Sequence, residues 1–544
     1  LSISYAQLEF KYAPGDNPSF TSFPRIWDTG PLPDKALETW HNFMIDTQSE
    51  FVKTLPKWDW PHAYTDVFTT NISTVRILGG WTDHNTSDDL AYSCGDKKYC
   101  YRFDEMFNRL DPLVSNGMQF VFVLDNVPWC FTSKNVTGVY GNVYGPDDPK
   151  VYAQFIEALV RALVGKYGSE QVQQWIFRVA TEPNNAHHWS DTMEKFYETY
   201  DWVTYAVRKV LPKARMGLGN FCMSCGSPTY PLAHDIVNHI GKGRNYVTGK
   251  IGSPIDVLGM SVYGSKPNKY SINTVVENVK VLRQFRELVA PNRSQEIEMQ
   301  IMEFGTLTNP FDRRSPEPGC FGSAWVASAS LVALRGGISK IYHWGFFDKL
   351  TDGEEYLLFS QGWLMAIAEL LIGSEATFLS VSGTTSNQHA DGVGLIQWNE
   401  NKSDISKIFV LLTVFDNTDY ASTEMTDYKV TLDLAGLKSS FKVGSVSQFK
   451  LDRNNSVYDI MYNDLKKING LQYNDGRLYP IHEMTNTVGH NYIEAHKTDY
   501  FKMQTEFLKP KPYTGKVSTI SSDEIILSDT IQTQSVSILM INPL

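Results

Sequence analysis

The chain has no apolar run near the ~18 residues that a membrane helix needs. Its nearest case, "AWVASASLVAL" over 324–334, is too short and carries two serines. A membrane span is therefore not expected. No block of Lys or Arg stands out, and the net charge is −11. Nucleic acid is an unexpected partner for such a surface. No Gly-rich phosphate turn follows an early strand, which argues against a doubly wound dinucleotide fold. Cysteine is scarce, with six in 544 residues: Cys94, Cys100, Cys130, Cys222, Cys225 and Cys320. "CMSC" at 222–225 has no second Cys-x-x-Cys to complete a zinc site. Its flanks, "GLGNF" and "GSPTYP", are a strand end and a turn, where a redox motif would open a helix. A local structural disulfide or two free thiols is the expectation, and neither a metal nor a cofactor is expected.

What is present leans towards export. The cysteine count is even, and sequons occur at Asn71, Asn85, Asn135, Asn292, Asn401 and Asn454. The first residue is Leu1 and not Met, the mark expected of a processed product. A secreted, extracellular or lysosome-like location follows as an expectation. Aromatics make up 13% of the chain. That surplus fits flat sugar-binding surfaces and large cores equally well.

From about residue 24 to 370, short β-branched or aromatic runs alternate with helical patterns. The runs are "FPRIW" (23–27), "TVRILGG" (74–80), "QFVFVLD" (119–125), "WIFRVAT" (175–181), "RMGLG" (215–219), "IDVLGMSVY" (255–263), "IEMQIME" (297–303) and "KIYHWGF" (340–346). Near-continuous apolar strands are buried on both faces. Between them, Asp148 reads as an N-cap, Pro149 as the first helical residue and Gly168 as the stop. Phe196, Tyr200, Val203, Val207 and Val210 fall on one helical face. Eight strand–helix alternations predict an α/β chain with a (β/α)8 TIM barrel over 20–372. After 372 the texture is strands and turns, which predicts an accessory C-terminal β-sandwich over 373–544. Residues 1–19 alternate and are expected to add a strand to it. The polar, Tyr- and His-rich stretch 456–512 has no assignment.

Chemistry in such a barrel sits at the C-terminal strand ends. Glu182 ends the fourth strand and Glu303 the seventh. A carboxylate at the end of a buried strand is costly without a purpose. Two on one rim are the equipment for glycoside hydrolysis: one protonates the leaving oxygen, the other attacks the anomeric carbon. Other polar rim residues are Asp125 and Asn126 on strand three and Asn220 on strand five. His187 and His188 are adjacent, point apart on most backbones and have no third ligand. They are expected to bond sugar hydroxyls. Lys349, after Asp348 and strand eight, is placed to meet a uronate or a sulfate.

"WIFRVATEPNNAHHW" and "QIMEFGT" carry a specific resemblance. The chain resembles clan A glycoside hydrolases, in particular family 39, the β-xylosidases and α-L-iduronidases. The family's Trp/Phe-x-x-Trp-Asn-Glu-Pro-Asn/Asp motif is matched at Trp175, Phe177, Val179, Glu182, Pro183 and Asn184, and Trp189 sits seven after the glutamate. "WDTGPLPDKALETW" and "RFDEMFNRLDPLVSNGMQFVFVLD" resemble its first strand and its second helix with third strand. The resemblance spans about 23–370. It implies Glu182 as acid/base, Glu303 as nucleophile, a retaining mechanism and carboxyls roughly 5 Å apart. The nearby Glu303 charge should raise the Glu182 pKa. It also implies that Tyr263 bonds the nucleophile and that Trp344 stacks under the sugar. Three departures stand out. Thr181 replaces the asparagine that reads the sugar 2-hydroxyl. "GGWTDH", with Trp81 and His84, stands near the usual Arg-Gly-His-Gly. Ser261-Val262-Tyr263 replaces His-x-Tyr. The partner expected is a poly- or oligosaccharide with a β-D- or α-L-glycosidic bond. The alternative is a carbohydrate-binding barrel with little or no turnover, which the Thr181 change permits.

Overall fold

The computed structural model describes the chain except residues 1–6, 14, 16–17, 25–26, 33–71, 81–88, 97, 116–117, 135, 139–140, 224–228, 265–270, 291–293, 306–318, 344–358, 386, 418–421, 436, 438–440, 469–486 and 522. Eight parallel strands close into a barrel. They are β1 (Trp27–Leu32), β2 (Ile72–Val75), β3 (Gln119–Leu124), β4 (Ile176–Val179), β5 (Arg215–Cys222), β6 (Val257–Tyr263), β7 (Glu298–Gly305) and β8 (Lys340–His343). Each pairs in parallel with the next, and β8 closes on β1 through Ile341↔Trp27. Six of these overlap the runs read from sequence over most of their length, and β2 shares Thr74 and Val75 with "TVRILGG". The first differs: "FPRIW" meets β1 at Trp27 alone. Phe23 lies before the strand, where its N–H donates to Ser374 O at 2.7 Å and its carbonyl accepts from Gly373 N at 2.9 Å. Its backbone is therefore committed to the segment that leaves the barrel.

Helices form where the patterns predict them. Pro149–Tyr167 is capped by the Asp148 side chain, which accepts from Lys150 N and Val151 N, and it stops at Gly168 with φ +85°. Met193–Val210 buries Phe196, Tyr200, Val203 and Val207. The helices cover the outer faces of the strands in one continuous core. A separate cluster of Val121, Ile176, Val257, Met302 and Tyr342, each from a different strand, fills the barrel interior. Side chains alternate along a strand, so Arg178, two after Ile176, points the same way.

Beyond the barrel, a five-stranded and a seven-stranded sheet pack together. Leu8–Tyr12 enters the smaller sheet between Ser380–Ser382 and Met425–Asp433. Its alternating burial supplies Leu8, Phe10 and Tyr12 to the sandwich core. Ser19–Phe20 joins the larger sheet beside Glu375–Phe378. Helix Cys320–Arg335 lies between barrel and sandwich and is buried almost all round, so it lacks a polar face. Its Ser328 meets Thr413 at 3.0 Å, and Arg335 pairs with buried Asp391 at 2.6 Å.

The stretch 456–512, unassigned from sequence, contains two helices, Val457–Leu465 and Thr487–Phe507. They share a small core of Val457, Tyr458, Met461, Leu465, Ile493 and Tyr500 with Phe359. Asp459 Oδ2 accepts from Cys320 N at 2.8 Å, and Ser456 Oγ lies 2.7 Å from Ser360 Oγ. Cys320 and Ser360 begin the helices that follow β7 and β8. The pair therefore leans on the barrel face where the strand C-termini emerge.

Candidate active site

Past β4 the backbone turns sharply. Ala180 has φ +66° and Glu182 φ +40°. Such conformations cost about 1–3 kcal/mol each and gather at functional sites. Neighbouring strands force the geometry. A Cβ on Gly219 of β5 would lie 2.2 Å from Ala180 O, so the backbone passes where only glycine fits. The turn is then closed by Asn185 N to Glu182 O at 2.8 Å and by Trp189 N to Asn185 O at 2.9 Å. Asn184 ties the turn to β5: its Nδ2 donates to Cys222 O at 2.8 Å and Thr229 O at 3.0 Å, and its Oδ1 accepts from Cys222 N at 3.1 Å. Its side chain thus anchors the loop to main chain.

Glu182 is 5% exposed and Glu303 8%. Ser261 Oγ donates to Glu182 Oε1 at 2.7 Å, and Asn185 Nδ2 donates to Oε2 at 2.8 Å. Tyr263 OH donates to Glu303 Oε2 at 2.8 Å. Glu303 and Ser261 are register neighbours across β7 and β6. Burial pushes Glu182 up to about 7, with the Glu303 charge as the next cause. Hydrogen bonds from Ser261 and Asn185, and the Arg76 guanidinium, oppose the rise. A carboxyl poised near neutrality can give and take a proton.

The floor beneath is charged. Arg178 is fully buried, and its Nη2 donates to Thr181 Oγ1 at 2.9 Å. Burial lowers its pKa to about 10, while the Asp125 and Glu303 carboxylates favour its charged form. Arg76 Nε pairs with Asp125 Oδ1 at 3.1 Å, and its Nη2 bonds Asn126 Oδ1. His188 Nε2 lies 3.7 Å from Glu182 Oε2. Burial, with the nearby Arg76 charge, pulls His188 down to about 3. The contact is therefore between a neutral imidazole and the carboxyl, and not an ion pair.

Asp125, Asn126, Thr181, His188 and Trp189 line one pocket beside the turn. Trp189 packs edge-on against Phe196 at 5.1 Å and donates to Thr192 O at 3.2 Å. His187 is exposed. Trp81, His84, Trp344, Asp348 and Lys349 lie outside the described residues. No cluster of His, Cys, Asp and Glu fit to hold a metal occurs among the described residues, nor any helix long and apolar enough to cross a membrane. Cys94 and Cys100 form a disulfide, Cys222 is also disulfide-bonded, and Cys130 and Cys320 are free thiols.

Ser261, Asn185, Arg76 and Arg178 were not singled out as site residues in the sequence. Arg178 left a local signal, a charge inside the buried run "IFRV", and Ser261 stood out as a departure from His-x-Tyr. Asn185 and Arg76 touch the site through turn geometry or through partners distant in sequence, which residue type does not announce.

Residues 42–308 match the family described as Glycosyl hydrolases family 39. An alpha-1,4-L-rhamnosidase of Formosa agariphila is 28% identical over 309 residues, 53% of this chain and 60% of that protein. A beta-xylosidase of Caldicellulosiruptor saccharolyticus is 29% identical over 164 residues, 27% of this chain and 33% of that one. The chain thus spans less than two thirds of either relative. The GH39 enzyme from Xanthomonas axonopodis pv. citri superposes with a TM-score of 0.63 over 99% of this chain and 98% of that one, at 13% identity. That likeness speaks for the fold. Over its barrel segment, residues 42–308, the chain is similar to glycosyl hydrolases family 39.

Proposed function

We propose that the protein is a retaining glycoside hydrolase that cleaves a β-D- or α-L-glycosidic bond in an extracellular polysaccharide or glycan. The observation that carries the reading is the pair of buried rim glutamates with divided environments. Glu182 is raised to about 7 by burial and by Glu303, which keeps a proton for the leaving oxygen. Glu303 is bound by the Tyr263 hydroxyl, which orients one carboxylate oxygen. In the first step Glu303 attacks the anomeric carbon while Glu182 protonates the departing oxygen. In the second, Glu182 takes a proton from water, which displaces Glu303. A secreted or lysosome-like setting is part of this proposal, supported by the Cys94–Cys100 disulfide.

The sugar is proposed from two supports. One relative is an α-L-rhamnosidase and another a β-xylosidase. The Thr181 hydroxyl already accepts from Arg178, so this position meets a sugar 2-hydroxyl differently from an asparagine amide. The rhamnosidase match covers the larger share of the chain, which puts an α-L-rhamnoside first. A panel of aryl α-L-rhamnoside, β-D-xyloside, α-L-iduronide and β-D-glucuronide tests this. Turnover of at least one is expected. Binding without turnover of any would replace the enzyme with a carbohydrate-binding barrel.

A further inference from the structure

We propose that Ser261, oriented by Asn220, is a positioning residue that fixes Glu182 for both halves of the reaction, and that β6 serves as the common ruler for the two glutamates. The inference rests on the acid/base reading of Glu182. Ser261 and Tyr263 are two residues apart on one strand, so both side chains face the barrel mouth. Two residues span about 6.6 Å of strand. Ser261 reaches across to Glu182, and Tyr263 reaches sideways to Glu303. One rigid strand therefore sets where both carboxylates stand.

The direction of the hydrogen bonds matters as much as their lengths. Asn220 is fully buried on β5. Its Nδ2 donates to Ser261 Oγ at 2.9 Å. With that amide aimed at the serine oxygen, the serine proton is left to point at Glu182 Oε1. An asparagine amide nitrogen can only donate, while a hydroxyl donates and accepts together. The chain Asn220→Ser261→Glu182 is thus polarised towards the carboxylate. A hydrogen bond donated to the ionised form favours that form. It opposes the burial and the Glu303 charge that hold the proton on Glu182.

This opposition suits a residue that must change roles. A Glu182 that kept its proton too firmly would serve as an acid and fail as a base. Once Glu303 is bound covalently to the sugar, its charge is gone. Glu182 then has to be ionised to accept a proton from water. Asn185 holds the other oxygen, but its oxygen end is spent on His187 N at 3.0 Å. Thr181 is occupied by Arg178. Among the described residues, Ser261 thus supplies a hydroxyl to Glu182 from β6, two strands along the barrel from β4. The resemblance to His-x-Tyr at this place is broken by Ser261 itself, so the arrangement is a feature of this chain.

The test is a pH profile of the variants Ser261→Ala, Ser261→Thr and Asn220→Ala. The probes are the dinitrophenyl glycoside and the unactivated glycoside of whichever panel sugar the wild-type protein turns over. In Ser261→Ala the acidic limb of kcat on the dinitrophenyl glycoside should move up by about one pH unit, a tenfold change in proton affinity. Below that limb kcat should fall about tenfold, KM should fall with it as the intermediate accumulates, and azide, which needs no base, should restore kcat. The alkaline limb of kcat/KM on the unactivated glycoside should move up in parallel. Ser261→Thr should restore the wild-type profile. Asn220→Ala, which keeps the serine but releases its direction, should shift the limb the same way by less. A uniform loss of kcat at all pH values, with both limbs unmoved, would overturn the proposal, as would an unchanged profile in both Ser261→Ala and Asn220→Ala. Failure of the underlying reading is separate: it would appear as a Glu182→Ala protein with wild-type rates on the unactivated glycoside.

Discussion

Glu303→Ala is expected to lose about 10^4-fold or more in kcat, because the substitution removes the attacking carboxylate. Azide should restore part of that activity by entering the space the carboxylate leaves. It would attack from the nucleophile's side and give a glycosyl azide of inverted configuration. Glu182→Ala should behave differently. Unactivated glycosides, whose leaving groups need the proton, should slow by about 10^2- to 10^4-fold. Dinitrophenyl glycosides need little protonation, so Glu303 should still form the covalent intermediate. That intermediate then stalls for want of a base. Azide relieves it by a second displacement and gives a product of retained configuration. The two variants should thus yield azides of opposite anomeric form, read by NMR. The same anomer from both would remove the division of labour between Glu182 and Glu303.

The second large effect is on stability. Glu182→Gln should be more stable than the wild-type protein above pH 7, by about 3 kcal/mol. A carboxyl raised from 4.5 to about 7 holds its proton more tightly folded than unfolded. Between those pH values the native state binds more protons, so wild-type stability falls as pH rises through the window. Every tenfold difference in proton affinity between the two states is worth about 1.4 kcal/mol. Glutamine carries no charge and escapes the penalty. Its amide can donate to the Ser261 oxygen once that hydroxyl turns, and its carbonyl can accept from Asn185. The gap should close below about pH 4.5, where Glu182 is protonated in both states. Asp391, raised by burial to about 6, titrates in both proteins and cancels in the difference. Urea unfolding of both at pH 4 and pH 8 measures the gap. An equal difference at the two pH values would show that Glu182 titrates as it would in water.

Much of the fold was legible because parallel barrel strands leave continuous apolar runs. Trp175–Val179 and Val257–Val262 are buried without a break, and no other element writes that signal so plainly. Phe23 misled for the same reason: it is apolar and buried, yet its backbone bonds go to residues 373 and 374, which no local pattern records. The helices at Val457–Leu465 and Thr487–Phe507 were missed because their apolar face is completed by Phe359, far from both in sequence. At the site, the two glutamates were visible as charges ending buried strands. Ser261 was visible as a departure, but its partner Glu182 lies 79 residues away. A serine on a strand carries no sign of which carboxylate it serves. Asn184 looked like a rim residue and is engaged with the main chain of β5 and its following helix.

The central claim is that Glu182 and Glu303 act in two successive displacements at one anomeric carbon. The most direct measurement is proton NMR of the first sugar released by the wild-type protein from the panel glycoside it hydrolyses, before mutarotation. The account predicts that the new hemiacetal carries the configuration of the bond that was cut. A first-formed product of inverted configuration would mean that water attacks directly, with Glu303 acting as a base, and would contradict the account.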